Sequence, residues 1–329
     1  MVRFPVTITG VAGFLGSHIA DLFDDVVGID NLSAGDKANV PPHVEFHLLD
    51  CRHPKSIAEV LKGCEIVYHT ACYPHEGLSV FAPYTIGSSV FDCAVSVFEA
   101  CINAGVAKII HCSSMSRYGD LTTPFDEEMK PRPRDPYAIA KVAVENMLMT
   151  LGEAHGIDWS IAVPHNIVGA RQRYYDPFRN VVAIMCNLAL QERNLIVYGD
   201  GNQTRCFSHI DDVISCLVKM KDVSKEIINI GPDEGAITIN ELAGIVKTVI
   251  NPLLETDYYP DRPCEVKHAV CSSDKARRLL GYKTTKTVED AVKDVTRYIR
   301  DRGPRKFEYH IPLGISTDNT PVTWRERIF

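Results

Sequence analysis

Tyr137 and Lys141 are four residues apart, in Tyr137-Ala138-Ile139-Ala140-Lys141. On a helix that spacing puts both side chains on one face. A free tyrosine titrates near pH ~10 and is a poor base at neutral pH. An ammonium beside the phenol favours the phenolate and lowers that value. Tyr137 can then take or return a proton on a substrate hydroxyl. The same spacing is common on solvated helices, so the surrounding elements must supply the rest of a site.

The first of these elements begins at Val6-Thr7-Ile8-Thr9, a β-branched run that reads as a strand within Val2 to Thr9. Gly10-Val11-Ala12-Gly13-Phe14-Leu15-Gly16 follows at once, and Ser17 to Phe23 reads as a helix. Strand, glycine turn and helix form the context of a dinucleotide-binding loop. Gly10 suits the tight turn, Gly13 the close approach of a pyrophosphate, and Gly16 the packing of helix on strand. The helix start offers free N–H groups to phosphates. Val26-Val27-Gly28-Ile29-Asp30 is a second strand, and Asp30 lies 20 residues after Gly10. A carboxylate there accepts from an adenosine ribose and repels a 2′-phosphate, so NAD is expected rather than NADP. Asp30 also reads as a turn cap with Asn31 and Ser33.

Val44 to Asp50 alternates as a third strand, with Asp50 placed to approach an adenine. Glu65 to Ala71 is a fourth, ending in the small residues Thr70 and Ala71. Cys72 to Tyr84 reads as a loop able to line a pocket, with His75 and Glu76 as candidate contacts. Ser89 to Ala104 has helical spacing, and Ala107 to Cys112 is a strand running into Ser113-Ser114-Met115-Ser116. A proline-rich loop, 126–135, precedes the helix of Tyr137, and Ser160 to Val163 is a further strand. Alternating strands and helices argue an α/β fold with a parallel, doubly wound sheet. Right-handed crossovers put the strand ends on one edge.

After Pro164 the texture changes. Asn166 to Pro177 is loop-like, Val181 to Leu190 a helix, and Leu195 to Tyr198 a short strand. Ile227 to Gly231 is a strand, and Thr238 with Glu241 forms a capping box. Arg262 to Val266 reads as extended, helix resumes from Ser273, and residues 303–329 form a tail of no evident role. Tyr198, His165 and the 72–84 loop are expected to shape a ligand pocket.

The chain has 329 residues, is 45% hydrophobic and 23% charged, and carries a formal charge of −7. That suits a large core and no basic surface for nucleic acid or an anionic membrane. Eleven cysteines without a Cys-x-x-Cys pair fit neither zinc spacing nor a disulfide framework. Free thiols suggest a reducing compartment, most simply the cytoplasm. No signal segment or bilayer-length apolar run is evident. His43 and His47, four apart on a strand, are not a chelating pair.

Several motifs occur in a fixed order: Thr9-Gly10-x-x-Gly13-x-x-Gly16, Asp30-Asn31, His69-x-Ala71, Ser113-Ser114-x-x-x-Tyr118-Gly119 and Tyr137-x-x-x-Lys141. Asn166-x-x-Gly169, Gly199-Asp200-Gly201-x-x-x-Arg205 and Arg262-Pro263-x-Glu265 follow. Over roughly residues 5 to 300 this resembles the extended short-chain dehydrogenase/reductase family, in particular its UDP-glucose 4-epimerase group. The resemblance implies a Rossmann-like NAD domain over 1–163, with 204–231 returning to it. It implies a smaller α/β nucleotide-sugar lobe within 164–329.

It further implies that Tyr137 is the base, that Lys141 bonds the nicotinamide ribose, and that Ser114 orients the substrate hydroxyl. Gly10, Gly13, Phe14, Leu15, Gly16, Asp30, Asn31, Asp50, Cys51, Ala71, Ser89 and Pro164 fall where the family holds NAD. Met115, Asn166, Tyr198, Arg205, Arg262 and Glu265 fall at the UDP-sugar, with Glu265 at the ribose. The implied reaction is a C4 epimerisation through a transient 4-keto sugar, in a homodimer paired through helices 89–104 and 137–153.

Three departures stand out. Met115-Ser116 occupies the places where related dehydratases and decarboxylases carry acids, which argues against both. Ser89 replaces a common Asn, and Arg117 a small apolar residue. Arg117, Arg171, Arg173 or Arg179 could then read an acidic sugar such as a uronate. A dehydratase or reductase is the alternative enzyme; a non-catalytic NAD-binding sensor would carry a broken Ser/Tyr/Lys set, whereas here it is intact.

Overall fold

The computed structural model describes residues 6–329; Val2 to Pro5, the start of the expected first strand, lie outside the described residues. Short β-branched runs form the centre of the protein. They are β1 (Val6–Thr9), β2 (Val26–Asp30), β3 (Glu45–Leu48), β4 (Ile66–His69), β5 (Lys108–Cys112) and β6 (Asp158–Pro164). With the strand Glu226–Ile230 they make a seven-stranded sheet, ordered β3-β2-β1-β4-β5-β6 and then Glu226–Ile230, all parallel. Every residue of β2 and β5 is buried. That explains the unbroken apolar runs: a parallel strand has helices on both faces.

Successive side chains point to opposite faces. Val67, Ile109 and Ile161 pack under the helices Pro54–Val60, Pro83–Ala104 and Pro136–His155. Their neighbours Tyr68, Ile110 and Ala162 pack under Phe14–Ala20, Ile210–Lys219 and Asp274–Leu280. A third core lies in the C-terminal half, among the helices Val181–Leu190, Ile239–Ile250 and Val288–Arg302 and the strand Leu195–Tyr198. Thr238 and Glu241 make both bonds of the expected capping box, at 3.0 and 2.7 Å.

Three readings of the sequence need correction. The helix expected from Ser89 starts at Pro83, whose fixed φ and missing N–H suit a first helical position, and ends on Gly105 at φ +73°. Within the expected loop 72–84, Glu76–Ser79 forms a helical turn. Arg262 to Val266 is not extended; Cys264 turns the chain at φ +62°. Among the described residues only Pro83–Ala104 is long and apolar enough to span a bilayer, but Ile86, Val90, Ala94, Val97 and Phe98 bury against the sheet. The tail is also ordered on the body: Trp324 is 2% exposed and sits edge-on to Phe81, Phe178 and Tyr198.

Arg117 does not face a ligand. It is 3% exposed; its Nη2 meets Glu145 Oε2 at 2.9 Å, and Nη1 donates to the Tyr118 hydroxyl at 3.2 Å. Ser113 Oγ donates to the same Glu145. The ion pair thus ties the turn after β5 to the middle of the Pro136–His155 helix. Removing one partner of a buried pair strands the other charge. Arg117→Ala is therefore expected to lower unfolding stability by about 3–5 kcal/mol in urea titrations, and adding Glu145→Gln to recover part of it. A single variant within about 0.5 kcal/mol of wild type would remove the pair from its structural role.

Candidate active site

The strand order reverses between β1 and β4, and an open α/β sheet leaves its crevice beyond the strand ends at such a point. A cleft of about 820 Å³ lies there, walled on the far side by the C-terminal lobe. Gly10, Asp30, Ala71, Ser114 and Pro164, each at or just past a strand end, all line it.

The chemistry-bearing trio is assembled by two elements. Ser114 continues β5 in extended conformation, φ −153° and ψ 145°, before the 3-10 turn Met115–Tyr118. Its Oγ accepts from Ser116 N at 3.2 Å and lies 3.0 Å from Ser116 Oγ. Tyr137 and Lys141 sit in the first turns of Pro136–His155. Pro136 is at a first-turn position, and the Asp135 carboxylate caps the helix by accepting from Ala138 N at 2.9 Å. Lys141 is 3% exposed and donates to Cys112 O, the last residue of β5, at 2.7 Å.

Lys141 Nζ lies 5.8 Å from the Tyr137 ring centre. Burial raises the Tyr137 pKa, while Lys141 and the Ser114 hydroxyl pull it down; burial is the larger effect and the phenol stays above its ordinary value. The lysine's effect has the expected sign but is smaller than that of burial. For Lys141 burial favours the neutral amine, yet Cys72, Tyr137 and Cys112 outweigh it and hold the cation above the usual range.

At the other end Gly10 adopts φ +77°, and a Cβ there would sit 2.8 Å from Ala71 N. A Cβ on Gly16 would sit 2.2 Å from Gly10 O, so the helix rests on the turn as closely as expected. A Cβ on Gly13 would meet only Gly10 O, at 3.1 Å, which leaves its cleft side open for a phosphate. Asp30 is 8% exposed and accepts from Ala12 N at 3.0 Å and Leu32 N at 2.8 Å, so it also performs the expected turn-capping role. Burial raises its pKa. Asp50 bonds Arg52 Nη2 at 2.6 Å and Asn31 Nδ2 at 3.1 Å, and Arg52 holds its carboxyl well below the usual range. Phe14, Leu15, Cys51 and Ser89 line the same end. Small residues, open amides and a ribose-height carboxylate suit a dinucleotide.

The lobe side is charged. Arg262 grips Glu265 through two bonds of 3.2 and 3.0 Å and stacks on Tyr198 at 4.8 Å. Arg205 donates to Val266 O at 2.6 Å and lies 3.9 Å from Glu265. Burial pushes the Glu265 pKa up, but Arg262 and Arg205 outweigh it, and the carboxyl stays ionised below its usual value. Asn166 lines the cleft but donates Nδ2 to Cys206 O at 2.9 Å, the backbone-capping role that competes with ligand binding. Arg171 pairs with Asp21 at 2.7 Å and Arg173 with Glu308 at 3.0 Å; both, with Arg179, line the cleft.

Three expected residues do not. Met115 turns into the core, 9% exposed, and His165 is buried with Nε2 at 2.9 Å from Pro232 O. His75 is likewise buried behind the wall, against Asp176. The residue weighed least in the sequence is Glu76. It opens into the cleft among Arg205, Arg262, Glu265, Asp135 and Tyr137. Glu76 is exposed to the cleft, yet the protein atoms crowded around it and the Asp135 charge raise its pKa to about 7, against the pull of the two arginines. No spacing rule marks it, because its neighbours come from distant segments. The tail residues Arg305 and Phe329 also reach the cleft.

The profile of the NAD dependent epimerase/dehydratase family matches residues 6–231. A Methanocaldococcus jannaschii protein, provisionally named a UDP-glucose 4-epimerase, is 31% identical over 306 residues, covering 90% of this chain and 98% of its own. A UDP-N-acetyl-alpha-D-glucosaminuronate decarboxylase of Bacillus cytotoxicus is 28% identical, covering 89% and 97%. The crystal structure of UDP-glucose 4-epimerase with UDP-glucose from Thermotoga maritima superposes with a TM-score of 0.86 at 27% identity, covering 91% of this chain and 99% of that one.

A carboxyl whose folded pKa lies above its unfolded value of 4.5 contributes stability below that value, and loses it as pH rises towards about 7. Glu76→Gln is therefore expected to be more stable than wild type at pH 8, and equal to it below pH ~4. Water in the cleft reduces the effect to on the order of 1 kcal/mol. Melting curves across pH check it, and a variant less stable at pH 8 contradicts the assignment.

Proposed function

The chain belongs to the NAD dependent epimerase/dehydratase family, and we propose that it interconverts C4 epimers of a UDP-hexose through a transient 4-keto sugar. NAD is its cofactor; when bound it accepts the C4 hydride and returns it. The carrying observation is the joint placement of Ser114, Tyr137 and Lys141 at one end of a cleft whose other end is the glycine turn. In this reading Gly10, Gly13, Phe14, Leu15, Gly16, Asp30, Asn31, Asp50, Cys51, Ala71, Ser89 and Pro164 hold NAD. Arg205 and Arg262 hold the diphosphate as charged forks, while Glu265, Tyr198 and Asn166 border the nucleotide.

The protein's own part is proton transfer and positioning. Ser114 orients the C4 hydroxyl. Tyr137 takes its proton as the ketone forms and returns it to the same oxygen after the sugar has turned. Burial makes the free phenol a reluctant base, so Lys141 and a cationic oxidised cofactor supply the compensating charge. The grip at the nucleotide end leaves the keto sugar free to turn.

Glu76 favours a second reading. A carboxyl that titrates near neutrality beside Tyr137 supplies a second proton-transfer group. It stands in for the acid absent at Met115-Ser116 and supports a dehydratase or decarboxylase, as one relative's name does. For an acidic sugar, Arg179 is the one of the four candidates Arg117, Arg171, Arg173 and Arg179 with no ion pair among the described residues.

Pro136–His155 carries the exposed Ile139, 55% accessible, which supports the homodimer proposed through this helix and Pro83–Ala104. Eleven free thiols support a cytoplasmic setting.

Incubation with UDP-hexoses and UDP-uronates, followed by NMR, is expected to give a C4 epimer at constant NADH. A 4-keto-6-deoxy sugar or a pentose would establish the second reading instead. Tyr137→Phe is expected to cut kcat by about 10²–10⁴ while NAD content is kept; an unchanged rate would sink the mechanism. Sedimentation should give twice the 36.6 kDa chain mass, and Ile139→Glu should halve it.

A further inference from the structure

His75, Asp176 and His310 come from three segments far apart in the chain and meet behind the cleft wall. His75 Nε2 lies 2.8 Å from Asp176 Oδ2, and His310 Nε2 lies 3.7 Å from the same oxygen. One ligand atom of each residue lies within 4.8 Å of the other two. The side chains of His75 and Asp176 are 0% and 1% exposed, and that of His310 is 13% exposed. None of the three lines the cleft.

Their hydrogen bonding is incomplete. Among the described residues neither His75 Nδ1 nor His310 Nε2 has a hydrogen-bond partner. A buried ring nitrogen without one is costly. His310 Nδ1 lies 3.3 Å from Glu308 O, a contact that places its proton on Nδ1 and leaves the Nε2 lone pair aimed at Asp176. Metal-bound histidines are oriented by the same kind of second contact. Asp176 is similarly steadied by Phe178 N, which donates to Oδ1 at 2.9 Å.

Among the described residues no arginine or lysine pairs with Asp176, and both imidazole rings lie against the aromatic faces of Tyr73 and Phe178.

We propose that His75, Asp176 and His310 bind one divalent transition-metal ion, zinc by donor preference, as a clasp distinct from the catalytic cleft. Zn–N and Zn–O distances of about 2.0–2.1 Å put tetrahedral ligand atoms roughly 3.3 Å apart. The separations of 2.8 and 3.7 Å to Asp176 bracket that value, and the two histidine nitrogens, which lie within 4.8 Å of each other, need close by no more than about 1.5 Å. Two imidazoles and one carboxylate suit zinc and its first-row neighbours rather than calcium or magnesium. A water can take the fourth position from the His310 side.

The ion would join three walls of the ligand site. His75 directly precedes Glu76, Asp176 directly precedes the cleft-lining Pro177 and Phe178, and His310 belongs to the tail that brings Arg305 and Phe329 to the cleft. The clasp does not depend on which sugar the enzyme turns over.

Metal analysis of the purified protein by mass spectrometry is expected to find about one zinc per chain. After removal by a chelator, added zinc should raise Tm by at least ~3 °C at a hundredfold excess over Kd. His310→Ala should lose both the metal and the shift. Cobalt loaded into the metal-free wild type should give the visible absorption of a tetrahedral site, which needs no variant to fold. The proposal is overturned if wild type neither holds nor responds to zinc and gives no cobalt band. It is equally overturned if His310→Ala retains the metal, and the triad is then a hydrogen-bonded His–Asp pair alone.

Discussion

The cleft depends on how the Pro136–His155 helix is fixed to the end of β5. Two buried cations do this from opposite sides of the joint. Lys141 reaches from the helix to Cys112 O, and Arg117 reaches from the turn after β5 to Glu145. Each would be costly alone in an apolar interior. Together they fix the first turns of the helix, and with them Tyr137, relative to the end of β5 that carries Ser114. The pairing also explains why a cation interrupts an otherwise apolar packing surface at residue 117.

The sheet was legible because its signal is local. Parallel strands buried on both faces are short, β-branched and continuous, as at Val26–Asp30 and Lys108–Cys112. The glycine turn was legible for a similar reason. Gly16 lies within 2.2 Å of Gly10 O when given a Cβ, and that demand falls on residues six apart in sequence. The start of the Pro83 helix was misplaced because Pro83 and Gly87 weaken a helical pattern that tertiary packing of Ile86 restores.

What was not legible is what the second half of the chain does to the first. The tail has no period to read, yet Trp324 fills the space between Phe81 and Phe178, and the Thr323 hydroxyl lies 2.5 Å from that of Tyr198. His75 looked like an exposed loop residue because its partners, Asp176 and His310, are 101 and 235 residues away. Met115 and His165 failed the other way. Each sits beside a cleft residue in sequence, Ser114 or Asn166, but the chain bends there, into the 3-10 turn at Met115 and at φ +44° on Asn166, and the side chain is carried into the interior.

The electrostatics of the lobe end follow from unequal sharing of two arginines. Glu265 takes both bonds of Arg262 and is held ionised, whereas Glu76 faces the same guanidiniums without a bond and meets Asp135 and Glu265 as like charges. A diphosphate arriving there competes with Glu265 for Arg262 and Arg205. It brings further negative charge close to Glu76, which favours that group's protonated form. Under the proposed diphosphate site, nucleotide binding and protonation of Glu76 would be linked, each promoting the other. Glu76 and Tyr137 thus both carry raised pKa values at one end of the cleft, Glu76 against the pull of the two arginines and Tyr137 against that of Lys141.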